Sequence, residues 1–263
     1  MSVEAREIDV EIGGRRLLRA VGLTARAGEV TAIVGPNGSG KTTLMRVLTG
    51  ELRPDAGQVH LGGEPVGPEH AARMAQRRGV LPQASHLAFP FTVDEVVRIG
   101  LMSGLSAGDP GLGARALAAV GLSGFGARRY QALSGGEQQR VQLARVLCQV
   151  WQPVRAGAAN WLFLDEPVAS LDIGHQLSIM QVARDYADGG GGVITVMHDL
   201  NLTAMFADRV LLLARGEVRA EGPPGEVLCD EVLSAAYGCR LRLNTPPVGA
   251  VPYLLPQAAG AGG

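Results

Sequence analysis

The sequence predicts an α/β protein in which a strand-bearing core is interrupted by an all-helical insert. Short apolar runs that read as buried strands occur both before and after a long helical stretch. A glycine-rich loop joins one of those runs to a helix. Glycine supplies 37 of 263 residues, about twice the usual share, as a chain with many tight turns requires.

Each element follows in order. Residues 4–12 alternate enough to read as an edge strand, and Gly13-Gly14 as the hairpin turn after it. Residues 29–34 form a short apolar strand that runs into the glycine loop. Lys41–Leu48 then has helical spacing. Residues 59–61 and 79–81 read as further short strands. From 92 to 150 the pattern is helical, broken at 104–113 and 121–126. Strand runs return at 161–164, 192–197 and 209–214, with helices between them. Gly222 to Gly225 reads as closing the core. This organises the chain as residues 1–222 carrying a helical insert at about 84–150, then an extension at 223–263. Its Pro- and Gly-rich end, 257–263 above all, is expected to be mobile.

Composition narrows the function. The net charge is −1 and the pI near 6.5, so the broad basic face of a nucleic-acid protein is absent. Cys148, Cys229 and Cys239 have no metal-ligand spacing and read as reduced thiols. Residues 1–9 are too charged for a signal core, and no apolar run approaches the roughly 18 residues of a membrane span. A membrane role therefore has to come through a partner.

Lys41 is the lone lysine among 24 basic residues. It lies in Gly35-Pro36-Asn37-Gly38-Ser39-Gly40-Lys41-Thr42-Thr43, a full G-x-x-x-x-G-K-T phosphate loop between a predicted strand and a predicted helix. Such a loop turns backbone N–H groups around phosphate oxygens, and the helix start adds a favourable dipole. Lys41 would reach the β- and γ-phosphates of ATP, and the Thr42 hydroxyl would hold Mg²⁺. Downstream, Trp161-Leu-Phe-Leu-Asp165-Glu166 is an apolar strand ending in two acids. Asp165 suits the Mg²⁺, and Glu166 suits a general base that polarises the attacking water. Ser134-Gly135-Gly136-Glu137 reads locally as a capping box that starts a helix. The same Ser-Gly-Gly start is also an anion site, which implies a ligand shared between two chains.

With these motifs in this order, the sequence resembles ABC-type ATPases from about residue 30 to 222. That resemblance implies a P-loop NTPase fold: a RecA-like core, an N-terminal antiparallel β subdomain and an inserted α-helical subdomain. It also implies two copies facing head to tail, so that Ser134, Gly135 and Gly136 of one meet the nucleotide of the other. Gln83 resembles the glutamine that ligates Mg²⁺ or water and senses a permease. Ala169-Ser-Leu-Asp172 resembles the loop that crosses the dimer interface, and His198 the switch histidine near the γ-phosphate. The aromatic residue that often stacks on adenine is replaced by Ile12, so adenine is expected to be held by apolar contact alone. Val168 stands where threonine is common, and no functional account of that change is evident.

The finer resemblance is to ATPases of heme importers, relatives of those serving iron-siderophore and cobalamin uptake. It rests on Leu87-Ala-Phe-Pro-Phe-Thr-Val-Asp-Glu-Val96, on the lengthened connection from Trp151 to Trp161, and on Ser170-Leu-Asp-Ile-Gly-His-Gln176. It implies a motor subunit at the cytoplasmic face of the inner membrane, a permease dimer as partner and a periplasmic heme-binding protein in the full system. No nucleic acid is expected. His86 and His175 are not read as heme ligands, because the heme path would lie in the permease. Phe89 and Phe91 are read either as a permease contact or as core packing. Alternatives are a siderophore or cobalamin importer ATPase, a soluble ABC ATPase of iron–sulfur assembly, and a nucleotide-binding regulator without turnover. The intact Asp165-Glu166 and His198 weigh against the last.

Overall fold

A computed structural model describes residues 1–83, 89–103, 109–246, 249 and 252–258. β1 (Ser2–Ile12) and β2 (Arg15–Arg26) pair antiparallel across the Gly13-Gly14 turn. β3 (Val30–Val34) runs into the glycine loop and α1 (Lys41–Leu48). β4 (Ala56–Leu61), β5 (Glu64–Pro65), α2 (Ala71–Met74) and β6 (Arg78–Leu81) follow. A helical stretch holds α3 (Val93–Ser103), α4 (Leu112–Ala119) and α5 (Gly135–Gln149). After it come the short pair β7 (Val154–Arg155) and β8 (Ala158–Ala159), then β9 (Trp161–Asp165), α6 (Ile173–Asp188) and β10 (Gly192–Val196). The chain continues through α7 (Leu200–Phe206), β11 (Arg209–Ala214), β12 (Glu217–Gly222), α8 (Pro224–Val227) and α9 (Asp230–Tyr237).

The main sheet has the order β12-β11-β3-β10-β9-β6. Its neighbours are parallel except for β12, which runs antiparallel at the edge. Every residue of β3, β9 and β10 is buried. A parallel strand covered on both faces needs that continuous apolar run, which is why these strands were readable from sequence. One core, including Leu162, Leu164, Val193, Val141 and Ala183, joins a face of this sheet to α5 and α6. The other, including Ile33, Leu44, Phe163 and Ile194, joins the opposite face to α1 and to the antiparallel sheet β2-β1-β4-β5. Asp208 ties the start of β3 down, accepting hydrogen bonds from the Val30 N–H at 2.7 Å and from Arg184 at 2.5 Å.

The parallel order has one functional consequence. The carboxyl ends of β6, β9, β10 and β3 lie side by side, with Val196 level with both Asp165 and Ile33, and Leu81 level with Leu164. Ligands of open α/β sheets bind in the crevice at such ends.

Several expectations change. The strand expected at 4–12 is not an edge strand: β1 lies between β2 and β4. Its second neighbour was underread because Ala56-Gly57-Gln58 at the start of β4 carries no apolar signal. β12 was missed because an edge strand with polar neighbours, Glu217-Val-Arg-Ala-Glu-Gly222, buries little. The lengthened 151–161 connection is the β7–β8 hairpin. The core does not close at Gly222 to Gly225, since Val227, Leu228 and Leu233 are buried in it further on. His86, Leu87, Ala88 and residues 259–263 lie outside the described residues. The aromatic pair divides: Phe89 is 67% exposed, whereas Phe91 packs against the core.

Candidate functional site

The phosphate loop connects β3 to α1. At Gly35 (φ +146°) a Cβ would stand 1.9 Å from the Leu213 carbonyl oxygen. At Gly40 (φ +105°) it would meet Leu18 and the Leu17 carbonyl within 2.9 Å. Only glycine fits this backbone. Lys41 opens α1 at 6% exposure, and its Nζ donates to the carbonyls of Gly35 at 2.8 Å and Pro36 at 3.0 Å. Burial lowers its pKa, and the charges of Glu166 and Asp165 act in the opposite direction.

A cavity of about 510 Å³ opens above this loop. Asn37, Gly38, Gly40, Lys41, Thr42 and Thr43 line one side, and Gln83, Glu166 and His198 face them. The neighbouring strand ends thus bring together residues separated by more than a hundred positions in the chain. Pro36 is intermediate in exposure and Ser39 is buried within the loop. Glu166 and His198 meet at 2.5 Å through Oε1 and Nε2. Glu166 has a left-handed backbone at φ 53°, uncommon for a side-chain-bearing residue.

Asp165 ends β9 and is 4% exposed. Burial first, and the neighbouring Glu166 second, push its carboxyl up to about 6, while a hydrogen bond with Thr42 and the charges of Lys41 and His198 draw it down. Its Oδ1 is buried with no hydrogen-bond partner. Thr42, Gln83 and Asp165 also line a second cavity, which shares Thr42 and Gln83 with the first. A hydroxyl, an amide and a carboxylate with an orphaned oxygen fit a hard cation such as Mg²⁺, which takes few protein ligands and keeps phosphate and water as the rest. No larger group of His, Cys, Asp or Glu is found among the described residues.

Ser134, Gly135 and Gly136 do not join this cavity within one chain. They form the exposed to half-buried start of α5. The Ser134 Oγ accepts from the Glu137 N–H at 3.3 Å, and the Ser134 N–H donates to Glu137 at 2.8 Å, a complete capping box. A Cβ on Gly136 would lie 2.9 Å from Leu171 and 3.3 Å from the Ser170 carbonyl, so this helix start rests on the segment carrying Ala169 to Asp172.

Sequence reasoning missed Arg15 and Leu17. Both line the cavity from β2, while Ile12, 48% exposed, is not among the lining residues. The residue expected at the base thus lies outside the cavity lining, and the turn at Gly13-Gly14 hands that wall to the following strand. The signal available was the hairpin itself, since the first residues of β2 return over the loop.

A glycine loop between a parallel strand and a helix that opens at Lys41, with an acidic strand end beside it, defines a P-loop nucleotide-binding protein. The chain belongs to the ABC transporter family, whose model matches residues 18–169. Among similar proteins is the Hemin import ATP-binding protein HmuV of Jannaschia sp., 59% identical, with 96% of this chain and 93% of that protein covered. Another is that of Mesorhizobium japonicum, 54% identical over 98% of this chain and 99% of that protein. A solved dimeric ATP-binding cassette in a post-hydrolysis state, bound to ADP and Pi, superposes with a TM-score of 0.75 at 26% identity, covering 84% of this chain and 98% of that one.

Proposed function

We propose that this chain is the ATP-hydrolysing motor subunit of a bacterial hemin importer. The observation that carries the cargo is near-full-length identity of 59% to a hemin import ATP-binding protein. The cavity supports hydrolysis: Lys41 meets the phosphates, Glu166 holds and deprotonates the attacking water, and His198 orients the Glu166 carboxylate and contacts the γ-phosphate side. Phosphoryl transfer depends chiefly on positioning and charge neutralisation, which these groups supply. Mg²⁺ would be held by Thr42, Asp165 and Gln83 and would neutralise phosphate charge. Arg15 and Leu17 flank the base.

Two copies close head to tail in this reading, Ser134, Gly135 and Gly136 of each completing the partner copy's nucleotide site. A permease dimer docks beside Gln83, where Phe89 is exposed, and a periplasmic heme-binding protein delivers cargo. The chain works peripherally at the cytoplasmic face of the membrane. No helix among the described residues is long and apolar enough to cross one.

The test is reconstitution with the permease in proteoliposomes. Hemin-loaded binding protein should stimulate ATP hydrolysis and hemin accumulation, and ferric-siderophore- or cobalamin-loaded binding proteins should not. Glu166→Gln should bind ATP with turnover reduced about a hundredfold or more. Stimulation by a siderophore complex alone would reassign the cargo, and near-wild-type turnover of Glu166→Gln would remove that residue from its role.

A further inference from the structure

Glu166 is held in a strained backbone by elements that meet only in the folded chain. Its N–H donates to the Val196 carbonyl on β10 at 3.2 Å. Its carbonyl accepts twice, from the Ala169 N–H at 3.2 Å and from the Nε2 of Gln139 at 2.8 Å. Gln139 lies one turn into α5, the helix that Ser134 caps. The same helix start packs on the following loop through Gly136 against Leu171 and Ser170. Residues 134–139 and 166–171 therefore behave as one packed unit.

The left-handed conformation, φ 53° at Glu166, needs such outside support, because a residue with a Cβ leaves it when its partners are lost. Rotation there would swing the carboxylate away from His198, its partner at 2.5 Å. The Gln139 amide is placed to prevent that. It is half-buried and donates to a main-chain acceptor, and it is not among the residues lining the nucleotide cavity.

We infer that Gln139 is a positioning residue for hydrolysis, which locks the backbone of Glu166 and so aims its carboxylate. This rests on the reading of Glu166 as general base. Its consequence is that α5 reports on both ends: its first turn faces the partner copy's nucleotide, and its second holds the base of its own chain.

The test uses two substitutions in the full chain. Gln139→Glu keeps the shape but turns a donor into an acceptor facing a carbonyl. Gln139→Met keeps the volume and removes the donor. Both should lower kcat about tenfold or more while leaving the KM for ATP within about twofold, since the group acts on orientation and not on binding. ADP affinity and the thermal midpoint, which do not depend on the aim of Glu166, should stay near wild type. In single-turnover assays on a Glu166→Gln background, neither substitution should cause further loss, because the residue acts through Glu166. Unchanged kcat in both variants overturns the inference. So does an equal loss on the Glu166→Gln background, which would mark a general structural effect. Near-wild-type turnover of Glu166→Gln alone is a different failure: it removes the base itself.

Discussion

Lys41 shows why one lysine persists in a chain whose other basic residues are arginine. Its ammonium sits inside the loop at 6% exposure, donating to two carbonyls about 3 Å away. A compact point charge fits there, and a planar guanidinium fork does not. Arginine is suited instead to the open wall, where Arg15 faces the cavity from β2. A guanidinium over an aromatic face contributes roughly 0.5–2 kcal/mol. Arg15→Ala should therefore raise the KM for ATP about 2- to 30-fold with kcat nearly unchanged, measured by steady-state phosphate release. An unchanged KM would mean that Arg15 does not touch the base.

At the level of elements, α5 carries the most. It packs against α3, α4 and β6, buries Val141, Leu143, Ala144, Val146, Leu147 and Cys148, and starts at the Ser134–Glu137 capping box. Loss of an N-cap hydroxyl typically costs about 1 kcal/mol, so Ser134→Ala should destabilise the isolated subunit by that order in urea unfolding. The cap has a pH signature. Hydrogen bonds from the Ser134 backbone, then its side chain, hold the Glu137 carboxyl below the usual carboxylate range. A lowered native pKa contributes stability that is present above the ordinary carboxylate value and lost as pH falls through the native one. The reciprocal Glu137 half of the cap should thus fade in acid, and Glu137→Gln should narrow its stability gap from wild type there. A gap independent of pH would exclude the charged half of the box.

The single subunit keeps the two halves of the proposed shared site apart. The cavity gathers Lys41, Thr42, Gln83, Glu166 and His198, while Ser134 to Gly136 point elsewhere on the surface, at the start of α5. In the proposed head-to-tail pair, that glycine-rich helix start would face the cavity of the other copy. In Glu166→Gln with Mg·ATP, the closed pair should accumulate, and the mass by light scattering should approach twice the 27.4 kDa monomer. Ser134→Arg, which blocks the helix start, should keep it monomeric. A Glu166→Gln chain that stays monomeric under saturating ATP would count against the head-to-tail pair.

Much of this site could be read before any tertiary information. The phosphate loop, the Asp165-Glu166 strand end and the capping box are local: each is a short segment whose residue types follow from its own backbone geometry and burial. β3, β9 and β10 were legible because strands covered on both faces are apolar throughout. β12 and the central place of β1 were not, because edge strands and sheet order leave no local pattern. Which of Ile12 and Arg15 faces the cavity depended on how a hairpin folds over a loop far along the chain. The hold of Gln139 on Glu166, 27 residues away, likewise exists only once α5 packs against the end of β9. Local chemistry therefore determined that this chain takes a nucleotide. Packing between distant segments decided which strand walls the cavity and which side chains hydrogen-bond the Glu166 backbone, because such contacts are selected by three-dimensional neighbours and not by position in the chain.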